Sequence, residues 1–129
     1  VSEQADKAFQ EMLEISTDID KAVLFSGSDV VASNLSEGLR AAVVKKAKEL
    51  SAAGAKRAVS MEAGPLTQMV IESSGGTVFL VQDAQNSDVG VLATGKSGSR
   101  IGLVFYDMRT LLRDAGVSGS AEEAAEVEE

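Results

Sequence analysis

The stretch Ile19-Asp20-Lys21-Ala22-Val23-Leu24-Phe25-Ser26-Gly27-Ser28-Asp29-Val30-Val31-Ala32-Ser33 holds two short apolar runs on either side of four turn-forming residues. Ala22–Phe25 is a continuous apolar run bounded by polar residues, the pattern of a largely buried strand. Ser26–Asp29 is a turn by composition. Val30–Ser33 is a second short strand, and so tight a polar connection predicts a β-hairpin. A hairpin this early commits the chain to antiparallel pairing. It excludes the repeated strand–helix–strand unit of a dinucleotide-binding fold.

Downstream, Ser36 is a plausible cap for the longest helix, with Glu37 near the positive end of its dipole. This helix is predicted to run to about Ala53 and to stop at Gly54. Its stripe is Leu39, Val43, Ala47 and Leu50, widened by Ala42 and Val44. Its many alanines leave a smooth surface for close helix contact. Ala58–Met61 reads equally as a short strand or a link. Pro65 lacks an amide proton and suits the start or edge of a strand. Leu66–Ser73 then forms a strand with polar residues on both alternating sets, so it is not buried on both sides. Ser73-Ser74-Gly75-Gly76 is the clearest turn. Thr77–Val81 and Val89–Thr94 are further strands, separated by a polar loop over Asp83–Asp88. Gly90 inside the latter strand predicts a bulge or the close approach of a neighbour.

Two more helices complete the chain. Ala5, Ala8, Phe9, Met12 and Leu13 form a helical stripe near the N-terminus. Ile101, Val104, Phe105, Met108, Leu111 and Leu112 form another that ends at Gly116. The order is α-β-β-α-β-β-β-α. The predicted class is α/β of the α+β type, a five-stranded antiparallel sheet with helices on both faces. The domain spans 1–117, and 118–129 reads as an acidic disordered tail.

Composition narrows the chemistry. The 129 residues contain no Cys and no His. That removes thiolate nucleophiles, disulfides, nearly every zinc site and the commonest general base. Aromatic residues are 4% of the chain, so the core must be mostly Val, Leu, Ile and Ala. The net charge is −8, and Glu122, Glu123, Glu126, Glu128 and Glu129 contribute five of its acids. Lys45, Lys46 and Lys48 are the only candidate basic stripe, and on one helix they read as a solvated face rather than a nucleic-acid site. No run approaches the roughly 20 apolar residues of a membrane span. The polar, acidic start Val1–Asp6 predicts no export signal, and a cytoplasmic protein is expected.

Three segments invite a chemical reading. Gly90-Val91-Leu92-Ala93-Thr94-Gly95-Lys96-Ser97 fits the letters of a phosphate-binding loop. Its middle residues continue a strand, whereas a phosphate nest needs a curled backbone. Asp18 and Asp20 stand at strand spacing and could hold a hard cation, but an acidic strand entry is the plainer reading. Asp83, Asn86 and Asp88 depart from the calcium-loop pattern and read as turn formers. Tyr106 is expected at the surface or an interface. No catalytic residue, cofactor or metal site is expected.

The succession of elements resembles the roadblock (dynein light chain seven) family, and within it the MglB-like bacterial members. The phrases that carry the resemblance are Ile19–Phe25, Gly27-Ser28-Asp29, Val30–Ser33, the Ala-rich helix from Ser36, Val70-Ile71-Glu72, Thr77–Val81, Val89–Ala93 and Gly102-Leu103-Val104. It covers residues 3–115 and implies a profilin-like roadblock fold. It implies a homodimer in which the third strands pair and the second helices pack together. On this chain that places Leu39, Val43, Ala47, Leu50, Leu66, Gln68, Met69, Val70 and Glu72 at the dimer interface. It also implies a non-catalytic protein that binds and regulates a small Ras-like GTPase; the alternative is a scaffold or adaptor in a signalling or motility complex, without effect on nucleotide turnover. Ser28, Asp29, Arg40 and Lys46 are the candidate partner contacts.

Overall fold

The computed structural model describes residues 2–117, so the predicted acidic tail lies outside the described residues. The elements are α1 (Ser2–Ile15), β1 (Ile19–Ser26), β2 (Asp29–Ser33), α2 (Glu37–Ser60), β3 (Gln68–Ser73), β4 (Gly76–Gln82), β5 (Val89–Gly95) and α3 (Ile101–Asp114). Their order matches the sequence reading. The strands form one antiparallel sheet in the order β2-β1-β5-β4-β3. Three hairpins supply three of its four pairings, and β1 against β5 joins the two halves. The β1–β2 turn needs a positive φ at its first central residue, which Gly27 supplies at 63°.

Alternation along the strands divides the apolar residues between two layers. Ala22 and Leu24 of β1, Phe79 and Val81 of β4, and Val89, Val91 and Ala93 of β5 face α1 and α3. Phe79 and Phe105 meet edge to face there, with centroids 5.5 Å apart. Val23, Phe25, Leu80 and Leu92 face α2, where they meet Val44 and Ala47. The first layer buries nineteen hydrophobic residues and the second only six, so the α2 face is thinly covered by the chain's own atoms.

The helix α2 is longer than its sequence suggests. Gly54 does not end it, and Ala58–Ser60 belong to its last turn. The reason is packing. A Cβ at Gly54 would lie 2.7 Å from Met69 Sδ and 3.3 Å from Leu66 Cδ2, so this glycine lets the helix cross closely over β3. The true end is a Schellman motif around Met61. The Ala63 amide donates to the Ala58 carbonyl at 2.8 Å and the Glu62 amide to the Val59 carbonyl at 3.0 Å. Glu62 takes the left-handed position, at φ 62°, that glycine usually fills.

Gly90 answers the sequence reading in its second form. Its missing Cβ would sit 2.7 Å from the Val81 carbonyl oxygen and 2.9 Å from Phe25 Cζ. The register of β5 against β1 and β4 runs through it unbroken.

Candidate functional site

The outer strands differ in how well they are covered. Within β2, Ala32 is buried, Val31 packs on the α1–α3 layer and Val30 on the α2 layer. On β3 every residue but Met69 is exposed, including Val70 at 36% and Ile71 at 40%. The backbone direction follows from the ladder. Gln82 N–H donates to the Thr67 carbonyl at 3.1 Å, which makes that pair hydrogen-bonded. Alternation then turns the amides and carbonyls of Met69 and Ile71 toward β4 and those of Gln68, Val70 and Glu72 outward. A bare row of donors and acceptors beside apolar side chains is a template for another strand.

The adjoining flank of α2 extends this surface. Leu39 is 54% exposed, while Val43 and Leu50 are half-buried against the second core cluster. Ala41, Ala42, Ala52 and Ala53 stand exposed on the same helix. Ala47 is wholly buried against the chain's own sheet, so it supports this surface from beneath. Leu66 packs near Gly54, and Met69 sits under α2. Gln68 accepts a hydrogen bond from Arg109 of α3 through its side chain. Ile71, absent from the sequence-derived set, shares the α2 face of β3 with Met69 and continues the exposed apolar strip. Counting in twos from Met69 was the signal available for it.

The helix also concentrates positive charge. Arg40, Lys45, Lys46, Lys48, Lys56 and Arg57 are half of the chain's twelve basic residues, against two acids on α2. Lys48 is 3.6 Å from Asp88 and lies over the Phe25 ring at 5.5 Å. These contacts close one side of a groove of about 520 Å³ that Ala52, Val59 and Leu66 also line.

The four candidate partner contacts do not converge. Ser28 and Asp29 lie at the β1–β2 tip. Arg40 is committed to the far end of β2, donating to the carbonyls of Leu35 at 3.0 Å and Ser33 at 3.4 Å. Lys46 is exposed on α2.

The segments with a possible chemical reading become structural. Gly90–Gly95 lies in β5, and α3 begins only at Ile101, so no phosphate-binding loop leads into a helix. Asp83 Oδ2 accepts from the amides of Gln85 and Asn86, each at 3.0 Å, as a turn former does. Asp18 is buried and serves α3. Its carboxylate accepts from the Arg100 amide at 2.8 Å and Arg100 Nε at 3.0 Å, and Lys96 Nζ lies 3.2 Å away. The Arg100 side-chain and backbone hydrogen bonds, aided by Lys96, hold this carboxyl well below the usual carboxylate range despite its burial. Asp20 is exposed and takes no part. Among the described residues no three acidic side chains gather to hold a metal. None of the described helices is long and apolar enough to cross a membrane.

This architecture has solved counterparts. A Roadblock/LC7 domain from Streptomyces avermitilis aligns with a TM-score of 0.73 over 84% of this chain and 91% of its own, at 17% identity. The fold is the roadblock/LC7 fold. Two further structures support the assignment. Myxococcus xanthus MglB has a TM-score of 0.72 at 9% identity, covering 88% of this chain and 85% of its own. The gliding protein MglB of Thermus thermophilus has a TM-score of 0.66 at 15% identity, covering 92% and 90%. No family model and no curated relative matches the sequence itself. At these identities the roadblock likeness is one of architecture.

Proposed function

We propose that this chain is a non-catalytic roadblock protein that dimerises through β3 and α2, and that the dimer binds and regulates a small Ras-like GTPase. The observation that carries the proposal is the bare β3 edge beside the thinly covered α2 layer. Two copies related by a two-fold axis satisfy both edges at once and extend five strands to ten. Their α2 helices then meet along Leu39, Val43 and Leu50, over a strip that Ile71 continues. The paired helices offer one broad, basic surface that suits an acidic patch on a partner. The likeness to two MglB structures supports a GTPase as that partner.

The chain has no histidine and gathers no catalytic group at this surface, so regulation rests on selecting one conformation of the partner's switch segments. A protein acting this way must bind the two nucleotide states unequally. The test is to copurify the GTPase and measure its affinity for the chain when loaded with GDP and with a GTP analogue. Hydrolysis and exchange rates are then followed with and without the chain. Regulation requires at least a tenfold difference in affinity and a changed rate. Equal affinities with unchanged rates would leave an adaptor role and overturn regulation.

A further inference from the structure

On the sheet face opposite α2, a second carboxylate is buried under different terms from Asp18. Asp107 of α3 is 8% exposed, and its Oδ2 has no hydrogen-bond partner among the described residues. Leaving a charged carboxylate out of water and unpaired is strongly unfavourable. Asp18 avoids this through Arg100 and Lys96. Asp107 Oδ2 receives no such hydrogen bond, and Arg100, which feels the Asp107 charge, is already bonded to Asp18.

Its side chain lines a notch of about 80 Å³ between α1 and α3. Glu11, Thr110 and Asp114 share the lining with Met12 and Ile15, and no basic side chain lines it. A space of this size suits the head of one long side chain; drug-sized ligands need roughly 300 Å³ or more. Ile15 on its rim is 68% exposed. Leu103, one helical turn before Asp107 on the same stripe of α3, is also exposed. The notch thus combines three carboxylates, of which Asp107 has an unbonded oxygen and Asp114 is held by Arg113 at 3.2 Å, with Ile15 as an apolar shoulder and Leu103 further along the α3 stripe.

We infer that this notch receives one basic side chain, arginine or lysine, from a partner protein, whose adjacent apolar residues rest on Ile15 and Leu103. A cation entering there supplies the direct hydrogen bond that Asp107 Oδ2 lacks, and an arginine can make it as one of a pair. The site lies on the α1–α3 layer and is independent of the proposed dimer face. A dimer therefore carries two of them, free to engage a partner while the α2 surface is occupied.

The probe is the blocked tripeptide acetyl-Leu-Arg-Leu-amide, titrated into the isotope-labelled full chain and followed by NMR. Its control is the same peptide with citrulline, which keeps the shape and removes the charge. Saturable shifts are expected at Glu11, Met12, Asp107 and Thr110, with the citrulline peptide at least tenfold weaker. Asp107→Asn should weaken the arginine peptide at least tenfold while leaving Tm equal or higher, since the amide buries no charge. Glu11→Gln, on the exposed rim, should weaken it about threefold and serves if Asp107→Asn fails to fold. Equal binding of both peptides, or no saturable shift, would overturn the inference. So would an Asp107→Asn protein of lower Tm and unchanged peptide affinity, which would make Asp107 a structural group met by ordered water. The same shifts on adding unlabelled chain alone would assign the notch to a second copy, and the partner would fall.

Discussion

Asp18 ties the start of β1 to the start of α3 across 82 residues of sequence, and it does so as a charge. Its ionised form is favoured in the folded state, so its contribution has a definite sign with pH. A carboxyl whose folded value lies below its unfolded value of about 4 gives its full stabilisation above that value. The contribution is lost as pH falls through the folded range. For Asp18→Asn, thermal melts should therefore show the largest Tm deficit near pH 7, and the gap to the unmodified chain should close steadily below pH 4. A constant gap would mean that the hydrogen bonds alone, and not the charge, hold α3. Glu62 offers a test of the opposite direction. The left-handed backbone costs a non-glycine residue about 1–2 kcal/mol, and glycine's freedom in the unfolded chain returns roughly 0.4–1 kcal/mol of that. Glu62→Gly should raise the stability of the fold by about 0.5–1 kcal/mol in chemical denaturation. Neither feature was legible beforehand. The partners of Asp18 are distant in sequence, and a glutamate at a helix end carries no sign of the conformation it adopts.

Among the elements, the strands were legible because short runs of strand-forming residues were bounded by turn residues at every hairpin. The helix α2 was legible only in part. Gly54 resembles a stop, and nothing local distinguishes a capping glycine from one that makes room for Met69. The residues after it, Ala55–Met61, are too small and mixed to declare a period. The two interior glycines now yield contrasting expectations. At Gly54 an added methyl meets the flexible end of Met69, and alanine's helix propensity favours it by about 1 kcal/mol. Gly54→Ala should be close to neutral by urea denaturation. At Gly90 the same methyl meets a backbone carbonyl at 2.7 Å, which cannot swing aside. Gly90→Ala should destabilise by about 1–3 kcal/mol, the range for overpacking a filled interior. Comparable losses at both sites would mean that α2 cannot tolerate a shift in Met69.

At the scale of the molecule, the account rests on an imbalance. The α1–α3 layer buries nineteen hydrophobic residues within one chain, whereas the α2 layer buries six and the β3 edge is bare. The bare edge was visible in the mixed polarity of Leu66–Ser73, and the pairing it implies came from the family resemblance. Which helix residues remain free was not visible, because α2 turns Val44 and Ala47 inward and leaves Leu39, Val43 and Leu50 on its flank. Substitution at Val70 separates the edge from the fold. Its amide points away from β4, so Val70→Pro removes an outward donor and leaves the internal ladder intact.

The decisive measurement is sedimentation equilibrium of the unmodified chain and of Val70→Pro at micromolar concentration, with circular dichroism on both. The account expects the unmodified chain at twice its 13.4 kDa mass and the variant at a single mass with the same spectrum. An unmodified chain that stays monomeric, or a Val70→Pro variant that dimerises equally well, would contradict it.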